Sequence, residues 1–189
     1  SACKSITALA IGFLYDEGML LPEEKLTDIF GESIPALTRI AIRDLTVEHL
    51  LTMTTGASFN EIMAVTDTDW VKGYFSGAFV PGNFFYNSLN TYILSAIVKK
   101  KTELSLSEYL KPRLFDPLGI DNYYWEKCPM GLDKGGWGLY MLPEDMAKIG
   151  QLVMQNGSWN GKQILSAEWI IRATAKQADT GSISDLFDY

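Results

Sequence analysis

Histidine is almost missing from this 189-residue sequence: His49 stands alone. A Ser-His-Asp or Cys-His mechanism would have to take His49 as its base. That residue sits in the apolar run Val47-Glu48-His49-Leu50-Leu51, where a structural role is the stronger reading. Cysteine is scarce as well. Cys3 and Cys128 cannot build a disulfide framework and fit no zinc-ligand spacing. Cys3 reads as a small buried residue. No run approaches the roughly 18–20 apolar residues that a membrane-spanning helix needs. Charge blocks and low-complexity tracts are also missing, which argues against wholesale disorder. Basic residues are outnumbered, 16 Lys and Arg against 23 Asp and Glu, and the net charge is −7. An acidic surface repels phosphate backbones, so nucleic acid is excluded as a partner. The one basic run, Lys99-Lys100-Lys101, reads as a solvated helix end.

What is present suits a globular core. Apolar residues make up 47% of the chain, and no internal repeat or linker divides it, so residues 1–189 read as a single domain. Apolar spacing predicts helices over 1–18, from Thr46 toward Gly56, over 89–101, over 104–111 with Pro112 as its stop, and over Pro143 to Met154. Ser166 caps a last helix through Ile171, and residues 60–75 hold one or two short ones. Residues 31–45 read as irregular, 128–138 as a glycine-rich loop, and Ser158 to Gly161 as a tight turn. No run alternates well enough for a strand with a hairpin partner, so the fold class is predominantly α.

Two short motifs could carry chemistry. Ser1-Ala2-Cys3-Lys4 is the only S-x-x-K in the chain. On a helix, positions i and i+3 share a face, so a lysine there can reach the serine hydroxyl. A helix N-terminus also favours a developing alkoxide. The alternative is a capping serine followed by a surface lysine. The second motif, Pro81-Gly82-Asn83-Phe84-Phe85-Tyr86-Asn87-Ser88, sets a tyrosine and a hydroxyl two apart, just before a buried helix. A phenol near a cationic lysine can relay a proton. Tyr86 as a packing aromatic is an equal reading. Trp125, Gly135, Gly136, Trp137 and Tyr140 form a glycine and aromatic cluster that suits either a substrate wall or plain packing.

In order along the chain, several segments resemble one family. Ser1 to Thr7 followed by Asp16-Glu17-Gly18 is similar to the nucleophile helix of the β-lactamase-related serine hydrolases. That group includes class C β-lactamases, penicillin-binding proteins, D-alanyl-D-alanine carboxypeptidases, esterases and aminohexanoate-dimer hydrolases. Leu45 to Gly56, Pro81 to Ser88, Asp116 to Ile120, Gly135 to Leu139, Asp145 to Gly150, Gly157 to Lys162, and Glu168 to Ile170 continue the resemblance collinearly.

The resemblance implies the helical portion of the α+β β-lactamase/transpeptidase-like fold, with most of the antiparallel sheet missing and the domain truncated at both ends. It implies an acyl-enzyme hydrolase acting on a small-molecule amide, ester or β-lactam, with no metal or organic cofactor. Ser1 would be the nucleophile, Lys4 would help to deprotonate it, Tyr86 would be base or proton relay, and Ser88 would hydrogen-bond Lys4 or the substrate. Ser88 stands where many relatives have asparagine, which points toward the aminohexanoate-dimer hydrolase and esterase branch. The family's third motif, K-T-G or H-x-G on a sheet strand, has no counterpart. On that ground the chain by itself is expected to be inactive, and its uncovered apolar surface to drive self-association. A non-catalytic binding or sensor module on the same scaffold is the alternative. Family habit implies a bacterial protein, exported to the periplasm or beyond.

Overall fold

The computed structural model describes residues 2–180. Helix dominates them. The helices are α1 (Ala2–Asp16), α2 (Leu26–Phe30), α3 (Ala36–Ala41), α4 (Val47–Leu51), α5 (Glu61–Ala64), α6 (Trp70–Ser76), α7 (Ser88–Thr102), α8 (Leu106–Leu110), α9 (Pro143–Met154) and α10 (Ala167–Thr174). Two small antiparallel sheets accompany them: β1 (Tyr123–Trp125) with β2 (Leu139–Met141), and β3 (Ser158–Trp159) with β4 (Lys162–Gln163).

Helix α7 is the hub. Every residue from Ser88 to Val98 is buried. Its small and apolar side chains run all round the helix, which marks a central rather than an amphipathic element. Helix α1 packs along it and buries Ile6, Leu9, Ala10, Phe13 and Leu14, while α4 and α8 cover other sides. Each such leucine or isoleucine contributes about 1.5–3 kcal/mol through removal from water. Helix α7 ends where Glu103 takes the left-handed conformation and its N–H donates to the Lys99 carbonyl. The basic run meets the carbonyl end of the helix, as its dipole favours. It is solvated only in part: Lys101 pairs with Glu24 at 2.6 Å, and Lys100 lies over the Phe30 ring.

The sequence expectations need five local corrections. Residues 31–45 are not irregular throughout: a 3-10 turn, Gly31–Ser33, precedes α3, and buried Ile34 and Ile42 hold them to the core. Helix α4 stops at Leu51, well before Gly56. Met53 takes the left-handed position (φ 57), and the Thr54 N–H reaches back to the His49 carbonyl, which closes the helix ahead of the glycine. Pro112 does not stop the chain after α8. A π turn, Lys111–Phe115, carries it on, with proline in the first turn where its missing N–H is tolerated and the Asp116 N–H on the Lys111 carbonyl. Strands do find hairpin partners: Asn160 (φ 48) and Gly161 (φ 76) are a mirror-image two-residue turn between β3 and β4. Helix α10 runs past Ile171 to Thr174.

His49 has the structural role read for it. Its Nδ1 accepts from the Thr46 N–H at 3.1 Å and completes a capping box at the start of α4. Among the described residues no helix is long and apolar enough to cross a membrane.

Candidate active site

Lys4 projects from the first turns of α1, and its ammonium donates to the Gly136 carbonyl at 2.7 Å. The same ammonium lies 5.0 Å from the centre of the Tyr86 ring. Two residues singled out from the sequence, far apart along the chain, therefore meet over one point. Ser1 lies outside the described residues.

Tyr86 is held in place by its neighbours. The segment before it runs beside residues 53–56: the Val80 N–H donates to the Gly56 carbonyl, the Gly82 N–H to that of Thr54, and the Phe85 N–H to that of Met53. Gly56 allows this approach, since a Cβ there would fall 1.9 Å from the Val80 oxygen. Beyond Tyr86, the Asn87 side chain caps α7 by accepting from the Leu89 N–H, and it donates to the Ala57 and Phe59 carbonyls. Buried Tyr74, Thr55 and Asn90 form a hydrogen-bonded cluster that ties the 53–57 loop to α6 and α7. Tyr86 itself is 46% exposed, so its ring faces solvent above a half-buried lysine.

Ser88, the first residue of α7, is buried against the glycine turn: a Cβ on Gly136 would lie 2.5 Å from the Ser88 carbonyl oxygen. The Lys4 ammonium goes to Gly136, and among the described residues no hydrogen bond joins it to Ser88.

Sequence reasoning missed the part played by Gly135 and Gly136. Their carbonyls receive three donors from one face of α1. Thr7 Oγ1 and Cys3 Sγ donate to Gly135 at 2.8 Å and 3.1 Å, and Lys4 donates to Gly136. The adjacent glycines were the available signal, because only glycine lets the turn press this closely on α7. Burial pushes the Cys3 thiol up to about 11, so it stays protonated at neutral pH. Trp137 stacks on Trp70 at 5.6 Å, and the Lys134 ammonium, paired with Glu126, lies over both rings. Among the described residues no group of three or more His, Cys, Asp or Glu could hold a metal ion.

Comparison with known proteins places the family and the fold. A family model described as "Beta-lactamase" matches residues 1–187. A 6-aminohexanoate-dimer hydrolase from Paenarthrobacter ureafaciens is 24% identical over 90% of this chain and 48% of its own length. The solved structure named "Putative 6-aminohexanoate-dimer hydrolase from Bacillus anthracis" superposes with a TM-score of 0.75 at 23% identity, covering 91% of this chain and 51% of that one. A penicillin binding protein from Bacillus halodurans gives 0.70 at 21% identity, covering 93% and 64%. The chain thus spans about half the length of the two hydrolase relatives and 64% of the penicillin binding protein, and its fold is that of the β-lactamase/transpeptidase group.

Proposed function

This chain belongs to the Beta-lactamase family, and from that premise we propose that its protein is a serine hydrolase acting on an amide, ester or β-lactam carbonyl through an acyl-enzyme. Ser1 is the nucleophile, Lys4 and Tyr86 are its proton acceptor and relay, and Ser88 lies at the base of the site. The observation that carries the reading is the meeting of Lys4 and Tyr86, with the ammonium held on Gly136 and 5.0 Å from the phenol ring.

The chemistry rests on those positions. In the sequence Ser1 stands three residues before Lys4, the i, i+3 spacing that a nucleophile and its base would share on one helix face. The pair enters the step one proton short, as a Lys4 amine beside the Tyr86 phenol or a Lys4 ammonium beside its phenolate, and takes the Ser1 Oγ–H proton as Oγ bonds to the carbonyl carbon and the carbonyl π bond opens to an oxyanion. The tetrahedral intermediate then collapses, the bond to the leaving nitrogen or oxygen breaks, and the same pair returns the proton to the leaving group. Water repeats the sequence on the acyl-enzyme and regenerates Ser1. Neither step calls for a redox partner. The relatives named 6-aminohexanoate-dimer hydrolase favour a small linear amide among the substrates. In this reading the 189 residues hold the nucleophile and base but not the whole oxyanion pocket. Loss of one oxyanion donor alone costs on the order of 100- to 1000-fold.

Intact-mass spectrometry after exposure to a serine-reactive fluorophosphonate tests the proposal. One label on the complete reading frame is expected, absent in Ser1→Ala and slowed about 100-fold or more in Lys4→Met. The 189-residue chain is expected to label far more slowly. A complete protein that takes no label would leave the non-catalytic binding module as the better reading.

A further inference from the structure

Asp133 is a carboxylate sealed inside the protein, with its side chain fully inaccessible. Its Oδ2 accepts from the Ser107 backbone N–H, in the first turn of α8, at 2.7 Å. Its Oδ1 has an ion-pair contact with half-exposed Lys127 at 3.2 Å but no hydrogen bond. Its own carbonyl accepts from Ser95 Oγ on α7 at 2.8 Å. A buried charge is expensive unless it is paired and hydrogen-bonded, and here each carboxylate oxygen has one partner, which ties Asp133 to both. Just past Asp133 in the chain comes the turn that receives Lys4.

That turn lies in the crevice between α1 and α7. On one side, Ser88, Thr91 and Ser95 are spaced i, i+3 and i+7 and form a single face of α7. A Cβ on Gly135 would lie 2.7 Å from the Thr91 oxygen, and one on Gly136 would lie 2.5 Å from the Ser88 oxygen. On the other side, Cys3, Lys4 and Thr7 donate to the two glycine carbonyls. Two glycines carry no side chain to anchor themselves, so the turn takes its placement from its ends. The Asp133 carboxylate fixes the incoming end to α8.

We infer that Asp133 is a positioning residue: by clamping the start of the Gly135–Gly136 turn to α8, it sets the carbonyl that orients the Lys4 ammonium beneath Tyr86. This rests on the reading of Lys4 as the group that receives the serine proton. Asp133 touches neither Lys4 nor Tyr86 and acts through the backbone that leads to Gly136. The clamp has a second handle, the Ser107 N–H, which can be deleted from the other side by proline. Ser107 lies in the first turn of its helix, where proline is tolerated.

The test is saturation kinetics of fluorophosphonate labelling on the complete reading frame, which separates the maximal acylation rate from the apparent dissociation constant. Melting curves confirm that each variant is folded at the assay temperature. Asp133→Ala is expected to slow acylation about 10- to 100-fold with the dissociation constant nearly unchanged, because misplacement by an ångström acts on the chemical step. Ser107→Pro and Gly136→Ala should each do the same, and Asp133→Ala combined with Gly136→Ala should be no slower than the worse single variant. Asp133→Asn keeps an oxygen for the Ser107 N–H and should recover most of the rate. If Asp133→Ala does not fold, Ser107→Pro with Gly136→Ala carries the same cycle. Wild-type acylation in Asp133→Ala or Ser107→Pro, despite a lowered melting midpoint, would overturn the inference, as would effects that multiply. Lys4→Met in the same assay separates the underlying reading: normal labelling there discards Lys4 as base, and the positioning role with it, whatever Asp133 does.

Discussion

Cys3 stands one residue before the lysine, yet it cannot compete with a hydroxyl nucleophile. Its thiol donates to the Gly135 carbonyl at 3.1 Å, and burial raises it from the usual 9.0 to about 11. At neutral pH only about one molecule in ten thousand carries the thiolate that alkylating agents need. Iodoacetamide at about pH 7.5 should therefore leave Cys3 unmodified in the native chain over hours and modify both cysteines once urea is added, as read by peptide mass mapping. The shift also has a sign in stability. As pH climbs from 9.0 toward 11, the unfolded thiol ionises while the buried one does not, so folding weakens over that window and is unaffected below it. Gly56 makes a harsher demand. Its φ of 61 disfavours a side chain, and the 1.9 Å approach of the Val80 oxygen excludes one. Gly56→Ala should cost about 2–4 kcal/mol in urea denaturation, and it should also slow acylation by letting the Tyr86 segment drift. A loss under about half a kcal/mol would mean that this pairing does not hold the segment.

Helix α7 gathers the site because its start is fixed twice. Asn87 caps it through Leu89 and simultaneously satisfies the Ala57 and Phe59 carbonyls, one side chain serving a helix end and a loop. Asn87→Ala removes a cap worth about 1 kcal/mol and strands two carbonyls at roughly 1–3 kcal/mol more. A total loss of about 3 kcal/mol by denaturant titration is expected, whereas a loss of about 1 kcal/mol or less would show that water replaces the amide. Elements of this kind divide by how local their cause is. Helices α7 and α9, and the Ser166 cap, were legible in sequence because apolar spacing and capping chemistry sit within the element itself. The end of α4 was not, since methionine rather than glycine takes the left-handed position there. The β1–β2 pair joins distant residues through a glycine loop, and no period within either three-residue strand announces it. At the site, Lys4 and Tyr86, both singled out from motifs, come together. The backbone carbonyl of Gly136 could not be singled out, because a carbonyl has no letter of its own.

Among the described residues of the whole molecule, a broad apolar trough is left open. The trough, of about 490 Å³, runs between α1, the end of α4, α9 and α10, with Lys4 at its rim and Leu9, Leu51, Met146, Ile149, Val153 and Ile170 along its floor and walls. Its α9 wall is half of an amphipathic helix: Ile149 and Leu152 point into the core, while Met146, 43% exposed, lies toward the open side. Contiguous apolar surface of this kind is seldom left in water. The 189 residues by themselves are expected to close the trough with a second copy. Sedimentation velocity at tens of micromolar is expected to show a dimer or larger species. Met146→Glu with Val153→Glu should return the chain to monomer without change in its helical circular dichroism, since glutamate is well tolerated on a helix surface. A wild-type chain that sediments as a monomer at that concentration would show that the trough is stable in water. The exposed apolar side chains would then have to be explained by a substrate or product that shares the rim with Lys4.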